Sequence, residues 1–173
     1  MLRLYLAYGS NLHPARLIER VPSARLVGTT RLDGYRVVFI KRSHDGSSKA
    51  SLLFTDEARH AAYGAVYEMP IQEKLVLDAL EGVGEGYDER ELQVSVNSEV
   101  VDAFTYVAAA THSAPGLEPY DWYHALVTRG ANHHGFPTDY VEELSAVPAQ
   151  ADPDTKRRKE NAALLERVAQ YHD

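Results

Sequence analysis

The sequence contains no cysteine, and this absence excludes a thiol nucleophile, thiolate-bound metals and disulfide bonds. It also contains no apolar run near the roughly 20 residues that a membrane-spanning helix needs. The start, "MLRLYLAYGSN", turns polar within about ten residues, which is too early for a secretory signal. We therefore expect a cytoplasmic protein with no membrane partner.

Positively charged residues are fewer than negatively charged ones: the chain has 18 Lys and Arg and 25 Asp and Glu, for a formal net charge of −7. This balance argues against general binding to nucleic acid or to anionic membranes, both of which would repel the chain. The hydrophobic content of 45% is ordinary for a globular protein, and 173 residues suffice for one domain with its own core.

Motifs for metal binding and for serine hydrolysis are missing as well. The adjacent histidines of "NHHG" (132–135) have no HExxH or carboxylate-spaced partner, and Ser10 lies outside any GxSxG elbow. We expect neither a metal nor another cofactor.

The hydrophobic pattern predicts an α+β fold without regular strand–helix alternation. Alternating, β-branched segments predict about six or seven strands, including a strand–turn–strand unit at Asp33-Gly34 and a hairpin at Asn97-Ser98. Many short strands favour a curled sheet or a small mixed β-barrel with peripheral helices. We place one domain at 1–150, followed by a polar segment and an amphipathic helix at 151–173. The apolar face of that helix is predicted as Ala162, Leu165, Val168 and Ala169.

One stretch, "YLAYGSNL" (5–12), begins as a strand, breaks at Gly9 and runs into a helix. Backbone N–H groups at such a break can hold a carboxylate or an oxyanion. The simpler alternative is a tight turn in which Ser10 or Asn11 caps the helix, and on local grounds it is the more common outcome.

Glu81 ends a predicted helix just before Gly82. The partially negative helix end should raise the pKa of this carboxyl group, which would suit a general base near neutral pH. The alternative, a solvated acid at a helix end, is the commoner case for a surface glutamate. Eleven tyrosines are more than expected, and a buried tyrosine hydroxyl needs a polar partner.

The tags "YGSNL", "LDALEGVGEGY" and "RGANHHGFPTDYVEEL" occur in this order, with "KASLLF" and "YGAVYEM" between the first two. Together they resemble the gamma-glutamyl cyclotransferase-like family over about residues 3–147. The resemblance implies a compact mixed β-barrel with peripheral helices that cleaves gamma-glutamyl compounds to 5-oxoproline and an amine or amino acid. It implies Glu81 as the catalytic residue, and it implies substrate contacts from Tyr8, Gly9, Ser10, Asn11, Leu12, Tyr87, Tyr106 and Tyr123.

This chemistry needs no cofactor, because the substrate's own α-amino group attacks the γ-carbonyl and proximity replaces a protein nucleophile. Glu81 would take the proton of the amine and return it to the leaving nitrogen. Whether the loop holds the oxyanion or the α-carboxylate is open at this point.

Two rivals are also open: a cyclotransferase for gamma-glutamyl amines or a gamma-glutamyl-protected metabolite, and a non-catalytic ligand-binding module. The loops at 43–49 and 111–119 would face the leaving group, but their composition does not decide which group they accept. The sequence leaves open whether the protein is a monomer or a homodimer.

Overall fold

The computed structural model describes residues 1–171. Within that range the chain forms seven strands and five α-helices, which confirms the predicted α+β class and strand number. The strands are β1 (Leu2–Ala7), β2 (Arg25–Asp33), β3 (Tyr35–Arg42), β4 (Ser48–Phe54), β5 (Ala61–Pro70), β6 (Tyr87–Val96) and β7 (Glu99–Ala108). The helices are α1 (Pro14–Arg20), α2 (Ile71–Glu81), α3 (Asp121–His133), α4 (Thr138–Ser145) and α5 (Thr155–Ala169), with a 3₁₀ turn at Ala110–His112.

Five strands form one mixed sheet in the order β2-β5-β1-β7-β6, in which β1 is antiparallel to β5 and parallel to β7. The sheet curls far enough to bring the end of β6 close to β2, the strand at the opposite edge. There the side chain of Asn97, just after β6, donates to the carbonyl of Val27 in β2 at 2.8 Å. The strands β3 and β4 pair with each other as a separate ladder. The predicted curled sheet with peripheral helices is therefore confirmed, in the form of a half-barrel flanked by a two-stranded ladder.

The two predicted turns behave differently. Asn97 and Ser98 both have positive φ, 51° and 67°, so they form a tight two-residue hairpin between β6 and β7 as predicted. Gly34 also turns the chain with φ of 78°, but the strands on its two sides enter different sheets.

The main core fills the space between the curled sheet and the helices α1 to α4. Its largest fully buried side chains include Tyr67, Phe104 and Leu6. A second, smaller cluster holds α5 on α3 through Leu126, Leu164 and Val168.

The predicted apolar face of the terminal helix is partly wrong. Val168 is buried and Leu165 is half-buried, whereas Ala162 and Ala169 are exposed and Leu164 is buried in their place. The reason is that α5 contacts α3 along one narrow line, so residues four apart, 164 and 168, make the contact. The last two residues of the predicted segment, 172 and 173, lie outside the described residues.

None of the helices in residues 1–171 is both long enough and apolar enough to cross a bilayer. The division of the chain at residue 150 stays a prediction.

Candidate active site

The loop that follows β1 offers a row of unpaired backbone donors. The helix α1 is capped by the side chain of His13, so the alternative in which Ser10 or Asn11 caps it is wrong. The N–H of Leu12 donates to the carbonyl of Gly9 at 3.0 Å, which closes the turn. The N–H groups of Gly9, Ser10 and Asn11 find no protein acceptor within the described part of the chain. This arrangement suits an anionic or carbonyl oxygen.

Glu81 lies beside this loop as the last residue of α2. Gly82, in the left-handed region with φ of 68°, ends the helix there. The Glu81 side chain is only 15% exposed. Its Oε1 accepts from Asn11 Nδ2 at 2.9 Å and from Arg20 Nη1 at 2.6 Å. The alternative of a solvated acid is therefore wrong. Its second oxygen, Oε2, accepts no hydrogen bond from residues 1–171.

Arg20 is a member of the site that the sequence reasoning missed. Besides binding Glu81, it donates to Asn11 Oδ1 at 3.1 Å, so the guanidinium, the amide and the carboxylate form one connected group. Arg16 and Arg20 are four residues apart on α1 and share one face of that helix, which is the signal that could have found them.

A pocket with about 280 Å³ of empty space opens between the loop and the sheet. It brings together most of the predicted residues with Tyr5 and Ala50, which were not predicted. The lining consists of Tyr5, Tyr8, Gly9, Ser10, Asn11, Ala50, Glu81, Tyr87, Tyr106 and Tyr123.

Two of the tyrosines meet at Ala50 on β4. The hydroxyl of Tyr87 donates to the Ala50 carbonyl at 2.7 Å, and the hydroxyl of Tyr123 accepts from the Ala50 N–H at 3.0 Å. Burial raises the pKa of Tyr123 to about 12 and places the pKa of Tyr87 well above its usual value. Both phenols are therefore neutral at pH 7, and Tyr123 keeps a hydroxyl proton that it can donate into the pocket.

Tyr8 and Tyr106 instead use their hydroxyls within the protein. Tyr8 donates to the carbonyl of Tyr106, and Tyr106 donates to Asp78 Oδ1 at 2.6 Å. Asp78 also accepts from Lys74 Nζ at 2.7 Å. Asp78 precedes Glu81 by three residues on α2, so this chain of bonds holds the end of that helix against β7.

Leu12 does not line the pocket. It is fully buried, and its carbonyl accepts from the hydroxyl of Tyr67 and from His134 Nε2, both at 2.8 Å. Its N–H is used inside the turn. Leu12 therefore lies behind the pocket wall, where its groups serve packing and the shape of the loop, and its contact with substrate stays a prediction.

A second cavity, with about 490 Å³ of empty space, adjoins the first and shares Ser10, Glu81, Tyr87 and Tyr123 with it. Loop 43–49 contributes to its wall, whereas no residue of loop 111–119 does so within the described chain, and whether this cavity receives the leaving group stays a prediction. We call this cavity the basic vestibule because four cationic side chains line it: Arg16, Arg20, Lys41 and Lys49.

No three histidine, aspartate or glutamate side chains among residues 1–171 are grouped to hold a metal ion. The residues of the pocket offer one carboxylate with an open oxygen, three unpaired N–H groups and neutral phenols. This set can move a proton and stabilise a negatively charged oxygen.

Known proteins resemble this chain in sequence and in fold. A family model described as the AIG2-like family matches residues 61–144. The gamma-glutamylcyclotransferase of Mus musculus is 31% identical over 153 residues, covering 83% of this chain and 78% of that protein. The gamma-glutamylcyclotransferase of Homo sapiens is 30% identical over 150 residues with the same coverage.

Among solved structures, a gamma-glutamyl cyclotransferase superposes with a TM-score of 0.80 at 23% identity, covering 94% of this chain and 99% of that one, which establishes the shared fold. A Homo sapiens protein described as uncharacterized superposes with a TM-score of 0.81 at 27% identity, covering 95% of this chain and 98% of its own. The level of identity and the share of each chain that is matched place this protein in the gamma-glutamylcyclotransferase family.

Proposed function

We propose that the protein is a gamma-glutamyl cyclotransferase, which converts a gamma-glutamyl compound to 5-oxoproline and a free amine or amino acid. The observation that carries this proposal is the placement of Glu81. Glu81, whose Oε2 is open, lines the same pocket as Gly9, Ser10 and Asn11, the residues with the three unpaired N–H groups. Family membership agrees with it.

The reaction is an intramolecular acyl transfer. The α-amino nitrogen of the glutamyl group bonds to its own γ-carbonyl carbon, and the bond from that carbon to the leaving nitrogen breaks. The attacking nitrogen loses a proton and the departing nitrogen gains one, so no water or cofactor is consumed. Ring closure within one bound molecule supplies through proximity what a protein nucleophile would otherwise provide.

Glu81 is proposed to carry that proton. An α-ammonium group has a pKa of about 8 and is mostly charged at neutral pH, so a base must deprotonate it before attack. Asn11 and Arg20 hold Oε1 and leave Oε2 to accept the proton. The same oxygen then returns the proton to the leaving nitrogen.

The negative charge that forms on the γ-carbonyl oxygen needs donors close by. The N–H groups of Gly9, Ser10 and Asn11 and the hydroxyl of Tyr123 are the donors that line the pocket. They suit either this oxyanion or the substrate's α-carboxylate, and electrostatic stabilisation of this kind is a large share of acyl-transfer catalysis.

Catalysis through a protein nucleophile is disfavoured. The chain has no cysteine, and Ser10, the serine in the pocket, has no histidine to activate it among the described residues that line either cavity.

The test is release of 5-oxoproline from gamma-glutamyl-alanine by the purified full chain, measured by chromatography. We expect Glu81→Gln to bind the substrate and to lose turnover by about a thousandfold, in the range that loss of a general acid–base implies. The matched control is Glu85→Gln, because Glu85 is an exposed acid in the same glycine-rich loop, and it should keep full activity.

Comparable activity in Glu81→Gln would reject the role of this residue. Binding of the substrate without any 5-oxoproline from the wild type would support the rival reading, a non-catalytic ligand-binding module. A cytoplasmic location and a role in glutathione metabolism stay predictions.

A further inference from the structure

The basic vestibule carries more positive charge than the protein neutralises. Arg20 pairs with Glu81 at 2.6 Å, and Lys49 pairs with Asp45 at 2.7 Å. Arg16 and Lys41 have no carboxylate within ion-pair distance anywhere in residues 1–171. Two positive charges next to the active site are therefore without a carboxylate at ion-pair distance, although Glu81 attracts both from farther away.

Arg16 also has an unsatisfied hydrogen-bond donor. Its Nε is buried and has no hydrogen-bond partner among the described residues. Burial lowers the pKa of Arg16 to about 10, with the positive charge of Arg20 acting in the same direction. Leaving a buried donor unsatisfied is costly, so this group needs an acceptor from a ligand or a water molecule.

Lys41 and Lys49 lie opposite each other on the paired strands β3 and β4. The register pairs Phe39 with Ala50 and then Lys41 with Lys49, so Ile40 is the extra residue of a bulge. Like charges directly across a ladder destabilise a sheet, and bulges often re-aim side chains next to active sites. Asp45 offsets the charge of Lys49 at 2.7 Å, so the charge of Lys41 is the one on this ladder that has no carboxylate at ion-pair distance among the described residues.

Each lysine is positioned over one of the tyrosines shared by both cavities. The Nζ of Lys41 lies 4.9 Å from the centre of the Tyr87 ring, and the Nζ of Lys49 lies 4.8 Å from that of Tyr123. Lys41 is only 8% exposed, and burial lowers its pKa. A Cβ at position 86 would come within 2.9 Å of the Lys41 Nζ, so Gly86 makes room for this lysine.

This concentration of positive charge contrasts with the whole chain, whose net charge is −7. Solubility therefore does not explain the cations, and they line a cavity that shares Glu81 with the pocket.

We propose that the basic vestibule binds the leaving group of the substrate and selects one with two carboxylates, so that the preferred substrates are gamma-glutamyl derivatives of acidic amino acids. This inference rests on the proposed cyclotransferase function and deepens it. The two unpaired cations match the α-carboxylate and the side-chain carboxylate of such a leaving group. A simple gamma-glutamyl amine has no carboxylate on that side to pair with these charges, which separates this substrate class from gamma-glutamyl amines.

The test compares three substrates that share the glutamyl half and differ in the charge of the leaving group. Gamma-glutamyl-glutamate has two carboxylates on that side, gamma-glutamyl-glutamine is its neutral-side-chain isostere with one, and gamma-glutamyl-ethylamide has none. We expect kcat/KM for 5-oxoproline release to fall in that order, by about tenfold at each step, which is about 1.4 kcal/mol per lost charge interaction. The preference should shrink as salt is added.

Substitutions in the basic vestibule test whether its cations cause this substrate preference. Lys41→Met keeps an unbranched apolar stem while removing the charge and should reduce the glutamate-to-glutamine preference about tenfold. Arg16→Met, a second and independent variant, should do the same. The matched control is Lys159→Met, which removes an exposed lysine on α5 and should leave the preference unchanged. Thermal unfolding of each variant verifies that it is folded.

Equal kcat/KM for gamma-glutamyl-glutamate and its glutamine isostere would overturn the inference. An equal loss for all three substrates in both variants would also overturn it, because the cations would then hold the common glutamyl half. Binding to Glu81→Gln, measured by calorimetry, separates this inference from the proposed function. A preference for gamma-glutamyl-glutamate in binding, with no 5-oxoproline formed by the wild type, would reject the reaction and retain the anion-selective vestibule.

Discussion

At the scale of single residues, Asn11 connects the loop to the carboxylate. Its amide donates to Glu81 Oε1 and to the Tyr5 hydroxyl at 2.9 and 3.2 Å, and its carbonyl accepts from Arg20 at 3.1 Å. An amide can donate to a carboxylate and accept from a guanidinium at the same time, which neither an ionised carboxylate nor a hydrocarbon side chain can do. Asn11 is therefore a positioning residue for Glu81 as well as part of the pocket wall.

Asn11→Ala should lower kcat/KM about tenfold to a hundredfold, because a hydrogen bond to a charged group is worth about 1.5–3 kcal/mol. Asn11→Asp should be worse still, since it places a second carboxylate against Glu81. Steady-state release of 5-oxoproline measures both. Asn132→Ala, an exposed asparagine on α3, is the control. Full activity in Asn11→Asp would show that the amide does not orient Glu81.

At the scale of secondary-structure elements, α3 and the loop after β1 pack in direct contact. A Cβ at Gly130 would lie 2.8 Å from the Cβ of Leu12 and 3.0 Å from the backbone nitrogen of His13. The helix can approach this closely only because position 130 has no side chain. The same approach brings Tyr123, two turns earlier on α3, to the pocket.

Gly130→Ala should destabilise the protein by about 1 kcal/mol in urea unfolding. Alanine improves helix propensity by about 1 kcal/mol, but overpacking against backbone atoms costs about 1–3 kcal/mol, and the overlap wins. The displaced loop should also lower kcat/KM. A gain in stability equal to the propensity term would contradict the tight contact between α3 and the loop.

At the scale of the whole molecule, a buried carboxylate ties the C-terminal helix to the rest of the protein. Asp152 is fully buried and accepts two hydrogen bonds from Arg157 at 2.6 Å and one from Trp122 Nε1 at 2.8 Å. The bonds from Arg157 lower the pKa of Asp152 to about 2. These bonds join the start of α5 to α3.

The depressed pKa predicts how stability depends on pH. Because the unfolded carboxyl group has a pKa of about 3.9, the contribution of Asp152 is fully present above that pH. It should be lost as the pH falls from about 4 through the folded value of about 2. Asp152→Asn should therefore unfold more easily near neutral pH and show a flatter pH dependence of the free energy of unfolding between pH 4 and 2.

Urea unfolding at several pH values measures this difference. The control is Asp102→Asn, which replaces an exposed aspartate on β7 and should follow the wild-type curve. Parallel curves for the wild type and Asp152→Asn would reject the role of the buried carboxylate.

The local sequence pattern was enough to predict most secondary-structure elements and part of the candidate site. Apolar alternation and turn residues predicted the strands, and the motifs placed Glu81 and residues 8–11 in one pocket, where the structure also places them. The local pattern gave a wrong apolar face for α5. Hydrophobicity alone assigned Ala162 and Ala169 to that face, whereas the helix contacts α3 through Leu164. Leu12 was included because it continues the motif, although its groups face the core.

The sequence by itself determined the element types and the turns, because these depend on residues close together along the chain. It pointed to Glu81 through the resemblance to a family, and the catalytic role of Glu81 stays a prediction. Only the tertiary structure decided the parallel pairing of β1 with β7, the ion pair between Arg20 and Glu81 across 61 positions, and the unpaired cations beside them. The interaction energy of two charges depends on the distance between them in space, and the packing of the sheet and the helices sets that distance. The electrostatic character of the site therefore follows from the fold.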